Sequence, residues 1–139
     1  LSKAATIFNR MTDGEYVKIL PPAQLAEMDL RVELANGESQ DTVDILSRGT
    51  CEQLYLAVRI SRILDTKPSL PVIIDDSFVN FDCRHTKESL QIISELSESH
   101  QIFVLTCHPE IVEYINGVAK AFHLPIALNF RNTYRHDAS

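Results

Sequence analysis

The side chains best placed for chemistry are Asp75 and Asp76, which close the apolar run Val72-Ile73-Ile74, and Thr106-Cys107-His108, which follows the run Ile102 to Leu105. Two adjacent carboxylates after an apolar strand are costly unless cations or water partner them. Successive strand residues point to opposite sides, so the two cannot share one role. One could hold Mg²⁺ while the other reaches toward a substrate. As caps of a strand-to-loop turn they would carry no chemistry. His108 could donate a hydrogen bond to a phosphate oxygen, or be a structural histidine at a strand end. Ser47-Arg48-Gly49 precedes a helix-forming run. A helix N-terminus offers amide N–H groups and a positive dipole end to an anion, but the same tripeptide also reads as a simple turn. A metal-dependent hydrolase built on Asp75, Asp76 and His108 is a further reading, for which the chain offers few additional ligands.

These residues need elements to position them. Thr50-Cys51-Glu52-Gln53 fits a capping box, so Thr50 is expected to cap a helix running to about Leu64. Its apolar residues lie nearly all round, as in a buried helix. Val72-Ile73-Ile74 predicts a central parallel strand covered on both faces. Asp82 is expected to cap a second helix through Leu90, Ile93 and Leu96, and Ile102–Leu105 to form another buried strand. Pro109 suits the first turn of a third helix, Gly117 its C-terminal stop, and Val118 to Leu124 a last strand. Alternation of helix and strand predicts an α/β fold with a parallel sheet flanked by helices. In such sheets ligands sit beyond the carboxyl ends of strands, where Asp75, Asp76 and Thr106 to His108 stand.

The chain ahead of Leu46 reads as scaffold. Ser2 to Met11 predicts a short helix with Ala5, Phe8 and Met11 on one face, broken by Thr12-Asp13-Gly14. Tyr16, Val17 and Ile19 suggest a strand ended by Pro21-Pro22. Leu30, Val32 and Leu34 alternate with Arg31, Glu33 and Ala35, and Asn36-Gly37 then suits a tight hairpin. The return strand is expected over Thr42 to Leu46, with Val43 and Ile45 inward, completing a small antiparallel sheet. The expected organisation is one domain over 1–139: helix plus antiparallel strands over 1–45, the α/β part over 46–128, and a polar tail over 129–139.

The apolar fraction of 45% and charged fraction of 23% are those of an ordinary globular chain. No apolar run nears the roughly 18 residues of a membrane helix. The net charge of -6 gives no basic footprint for nucleic acid, so any DNA contact is expected elsewhere. Cys51, Cys83 and Cys107 lack metal spacing and read as free thiols of a reducing cytoplasm. The start Leu1-Ser2-Lys3 carries no initiator Met and no signal-peptide pattern, which reads as a domain cut from a longer chain.

Together the patches resemble the ABC ATPase head. Leu46-Ser47-Arg48-Gly49-Thr50 is similar to the ABC signature motif, usually Leu-Ser-Gly-Gly-Gln. Val72 to Asp76 resembles the Walker B strand, Val79-Asn80-Phe81-Asp82 the D-loop, and Thr106-Cys107-His108-Pro109 the switch histidine. The wording around Thr50 to Ala57 and Asp75 to Asp82 is most similar to SMC-like DNA-repair ATPases of the SbcC, RecN and above all YhaN-like types. The resemblance implies that Asp75 holds Mg²⁺, that Asp76 polarises the attacking water, and that His108 contacts the γ-phosphate. It implies that Ser47, Arg48, Gly49 and Thr50 clasp ATP bound on a second protomer, and that Asp82 works across the dimer interface. Asp76 stands where the family usually has Glu, and Arg48 and Thr50 replace Gly and Gln. The chain contains no Gly-x-x-x-x-Gly-Lys-[Ser/Thr] loop. It therefore resembles the C-terminal lobe of a head, whose expected partners are the N-terminal Walker A lobe, a second head with ATP, DNA for the parent protein, and a possible nuclease subunit. A non-catalytic docking module that keeps the motifs is the alternative.

Overall fold

The computed structural model describes residues 1–22, 30–41, 45–122 and 124. Helix α1 (Ser2–Met11) buries Ala4, Ile7, Phe8 and Met11, one stripe at the spacing of successive helical turns. Phe8 and Met11 take the inward places expected of them, but Ala4 replaces Ala5 as the fully buried alanine. Strands β1 (Tyr16–Leu20), β2 (Arg31–Leu34) and β3 (Ser39–Asp41) form an antiparallel sheet in that order. The Phe8 and Tyr16 rings pack 5.1 Å apart, fixing α1 to the sheet.

The return strand differs from expectation. Gly37 takes a φ of +89°, and Asn36 Oδ1 accepts from the Glu38 N–H at 2.9 Å. This tight turn sends the chain straight back, so Ser39 pairs with Glu33 and Gln40 with Val32. Ile45 is helical and exposed, not inward on a strand. Thr42, Val43 and Asp44 lie outside the described residues, as does the proposed tail.

Helix α2 (Arg48–Asp65) buries Gln53, Leu54, Leu56, Ala57, Ile60 and Ser61. Tyr55 and Leu64 are exposed, so the helix is amphipathic rather than buried all round. Strand β4 (Val72–Asp75) pairs in parallel with β5 (Ile102–Leu105), and helix α3 (Cys83–Leu96) makes the connection. Ile74 faces the core with Val72, Ile102 and Val104 packed beside it. The opposite face is bare among the described residues: Ile73 is 68% exposed, Phe103 41% and Leu105 42%. The expected covering of both strand faces is therefore absent from this chain's described residues. Helix α4 (Pro109–Val118) starts with Pro109 as expected, but Gly117 sits within its last turn and Ala119 caps it. Val118 is helical, residues 119–122 form no strand, and Phe122 is 99% exposed.

Helix α1 packs on α2, on β1 and, less extensively, on α3. Arg10 closes the last of these contacts with two parallel hydrogen bonds to Glu95, both 2.8 Å. The hydrogen bond from Arg10 is the main cause holding the Glu95 carboxyl below its usual range. A carboxyl whose folded pKa is lowered adds stability above its unfolded value, near 4.3, and loses it as pH falls through the folded value. Glu95→Gln should therefore lower the melting temperature at pH 7 and cost progressively less below about pH 4. Both side chains are partly exposed, so the effect at neutral pH should be at most about 1 kcal/mol. Thermal melts of wild type and mutant across pH 3 to 7 provide the check.

Candidate functional site

Two clusters of polar groups form at the carboxyl ends of β4 and β5 and at the N-terminus of α2. The first begins where β4 ends. The Asp76 N–H still donates to the Leu105 carbonyl at 2.9 Å, but Asp76 itself turns to a φ of +42°. Asp tolerates this left-handed backbone better than most residues, at a cost of about 1–2 kcal/mol. The turn breaks the strand alternation, which alone would set Asp75 and Asp76 simply on opposite faces. Asp76 Oδ1 accepts from the Cys107 N–H at 3.3 Å, and Oδ2 lies 3.6 Å from Cys107 Sγ. Desolvation first, and then the Asp76 charge, pushes the Cys107 thiol above its ordinary value.

His108 is the N-cap residue of α4. Its N–H donates to Thr106 Oγ1 at 3.1 Å, and its Nδ1 lies 3.6 Å from Glu110. Donor atoms of Asp76, Cys107 and His108 all lie within 4.8 Å of one another. Asp75 is exposed at the strand end and is not a member of this trio. A cavity of about 160 Å³ opens beside it, lined by Asp76, Phe78, Phe81, Thr106, His108 and Tyr114 among others.

The second cluster corrects the expected cap of α2. Ser47, not Thr50, is the N-cap residue. Its Oγ accepts from the Thr50 N–H at 3.1 Å and lies 2.8 Å from Thr50 Oγ1. A serine three residues ahead of a free amide satisfies it directly, so the helix starts earlier than Thr50. Gln53, the expected partner in the capping box, is buried instead.

One turn into α2, Glu52 receives Arg48 Nε at 3.2 Å and Asn80 Nδ2 at 2.8 and 2.9 Å. Gly49 makes the approach possible. A Cβ there would stand 2.4 Å from the Asn80 carbonyl oxygen. The segments 46–50 and 79–82 are thus held together within one chain. Asp82 caps α3 as expected, with Oδ1 accepting from the Arg84 and His85 N–H groups at 2.9 Å. Its Oδ2 lies 2.7 Å from His85 Nδ1. The His85 amide is the main cause holding the Asp82 carboxyl below the usual carboxylate range.

Of the residues singled out in the sequence, the structure brings Asp76 to His108, and Arg48 and Gly49 to the Asn80 turn. Ser47, Thr50 and Asp82 serve the ends of their own helices. Glu52, Asn80 and Cys107 are the participants not given roles from sequence. The signals present were the position of Glu52 four residues after Arg48, of Asn80 in the D-loop-like stretch and of Cys107 beside His108.

The Gly49 contact is with backbone, which has no rotamer to yield. Gly49→Ala should cost about 1–3 kcal/mol through overpacking. Gly117→Ala meets nothing within 4 Å inside a helical turn, and should add up to about 1 kcal/mol. Denaturant unfolding of the two variants should move the midpoint in opposite directions.

No protein-family model matches the chain. Over 130 residues, 89% of its length, it is 36% identical to the uncharacterized protein YhaN of Bacillus subtilis (strain 168). The chain spans 13% of the length of that curated relative. Its structure is similar to the Smc head domain of Pyrococcus furiosus, solved with an extended coiled coil and bound to the C-terminal domain of ScpA. That match has a TM-score of 0.62 and 15% identity, and covers 81% of this chain and 29% of the other. A structure solved in a study of ATP-driven dimerization and DNA-stimulated activation of SMC ATPases matches with a TM-score of 0.64 and 17% identity, covering 81% and 69%. The SMC head domain of Thermotoga maritima matches with a TM-score of 0.55 and 18% identity, covering 82% and 41%. The chain thus has the mixed helix-and-strand fold of part of an SMC head domain, joined to sequence similarity with one stretch of YhaN.

Proposed function

We propose that this chain is the C-terminal lobe of an SMC-like ATPase head, whose parent protein uses ATP-driven dimerisation in DNA repair or chromosome processing. The observation that carries the reading is the bare apolar face of β4 and β5, directly below the polar ends of those strands. Parallel strands are stable when both faces are covered. Ile73, Phe103 and Leu105 fit a second lobe that would supply that cover and the phosphate loop this sequence lacks.

The residues present fit ATP and Mg²⁺ in part. Asp75 gives an exposed hard oxygen donor at a strand end, the type Mg²⁺ takes beside substrate phosphates. Asp76 would orient the attacking water and accept its proton, and His108 would donate to the γ-phosphate. The N-terminus of α2, with Ser47, Arg48, Gly49 and Thr50, would meet the phosphate of ATP held by a second head. Asp82 would face the same interface. When bound, Mg²⁺ neutralises charge on the transferring phosphate. Most β- and γ-phosphate binding would come from the other lobe, so this chain alone should bind ATP weakly and show no measurable turnover. DNA and a possible nuclease subunit are partners proposed for the parent.

A second reading, a non-catalytic docking module, draws on the caps. Ser47 Oγ and the Asp82 carboxylate are already engaged in their own helices, and Asp76 is one methylene shorter than Glu.

Both readings are tested in the full-length protein. Asp76→Asn should keep ATP binding, slow hydrolysis by about 10²–10⁴-fold and accumulate head dimers. Asp75→Asn should weaken Mg²⁺-dependent binding. Ser47→Arg should abolish head dimerisation with a non-hydrolysable analogue while each head still loads nucleotide. Turnover near wild type in Asp76→Asn would overturn its role and point to His108 instead, and an unchanged dimer fraction in Ser47→Arg on sedimentation would count against the signature assignment. Wild-type turnover no higher than that of Asp75→Ala would favour the docking module.

A further inference from the structure

We propose that Asp76, Cys107 and His108 form a binding site for a thiophilic divalent cation of the zinc type, chemically distinct from a Mg²⁺ site at Asp75. The three residues supply one carboxylate oxygen, one sulfur and one imidazole nitrogen, the donor set that zinc takes and that Mg²⁺ does not favour. Zinc bonds of about 2.0–2.3 Å in a tetrahedron place neighbouring donors about 3.3–3.8 Å apart. Cys107 Sγ and Asp76 Oδ2 already stand 3.6 Å apart, and all three donors lie within 4.8 Å.

The backbone sets this arrangement. Asp76 is turned toward Cys107 by its left-handed φ of +42°, and its Oδ1 is fixed by the Cys107 N–H. The Thr106 hydroxyl holds the next amide, that of His108. Asp76 and Cys107 are exposed, so a fourth position would remain open to water or an anion. Glu110, 3.6 Å from His108 Nδ1, stands where it could orient the ring from outside the metal. On metal binding the thiol proton leaves to solvent. If Asp76 and His108 act on ATP as proposed above, occupancy would remove both from that work, making the site inhibitory. The binding itself does not depend on that reading.

The experiment is a Co²⁺ titration of the full-length protein without nucleotide, followed in the near ultraviolet for the thiolate-to-metal charge-transfer band. The expected result is one equivalent bound, displaced by Zn²⁺ and not by millimolar Mg²⁺. Cys107→Ser should lose the band, and His108→Gln should weaken binding at least about tenfold. Melting curves without metal establish that each variant folds; if Cys107→Ser does not, His108→Gln decides. Absence of the band in wild type, a band of full strength in Cys107→Ser, or unchanged affinity in His108→Gln would overturn the proposal. Because no step involves ATP, failure here leaves the ATPase reading to its own test.

Discussion

The parallel pairing of β4 with β5 decides where every group of the first cluster stands. The register sets Asp75 opposite Leu105, so the residues that follow each strand emerge side by side. Asp76 then needs only one left-handed turn to reach the Cys107 amide. A slip of one residue would flip Ile74 out of the core and carry Asp76 away from His108. The apolar inner face therefore specifies the polar site: Ile74, Val72, Ile102 and Val104 admit a single register.

The second cluster rests on a different constraint, close backbone approach. Gly49 lets the start of α2 touch the Asn80 turn, and Glu52 ties that turn down with hydrogen bonds from one side-chain amide. Two helix N-termini, those of α2 and α3, are thereby fixed relative to each other. Rigid spacing of two such ends is what any partner surface meeting both would read. Arg48 is drawn back onto Glu52 and yet remains largely exposed, a cation held at the rim without being consumed by the fold.

Much of this was legible in the residues. The Asp82 cap, Pro109 at the start of α4 and the two apolar strands each follow from local chemistry, and all appear where expected. The failures have physical causes. Thr50 and Ser47 are both good caps, and only the path of the preceding chain chooses between them. The hairpin turn set the register before the apolar pattern of 43–45 could. The apolar run at Val72 to Ile74 correctly announces a strand that wants two covered faces, but sequence cannot say whether the same chain supplies the second cover. Asn80 and Cys107 stood in stretches the sequence singled out, but their partners could not be read there, because these lie 28 and 31 residues away and meet them only through the tertiary fold.

The open face of the β4–β5 pair also bears on the life of the chain during synthesis. Among the described residues the sheet has two strands, and so two edges whose backbone groups can recruit a further strand. Next to those edges lie Ile73, Phe103 and Leu105, a small apolar patch bounded at one end by the exposed Asp75 opposite Leu105. A newly made copy would present this surface to neighbouring copies until something covers it, and misassembly scales with concentration. A second lobe of the kind proposed would act as a chaperone built into assembly, and its timing relative to translation would govern how much of the protein escapes such association.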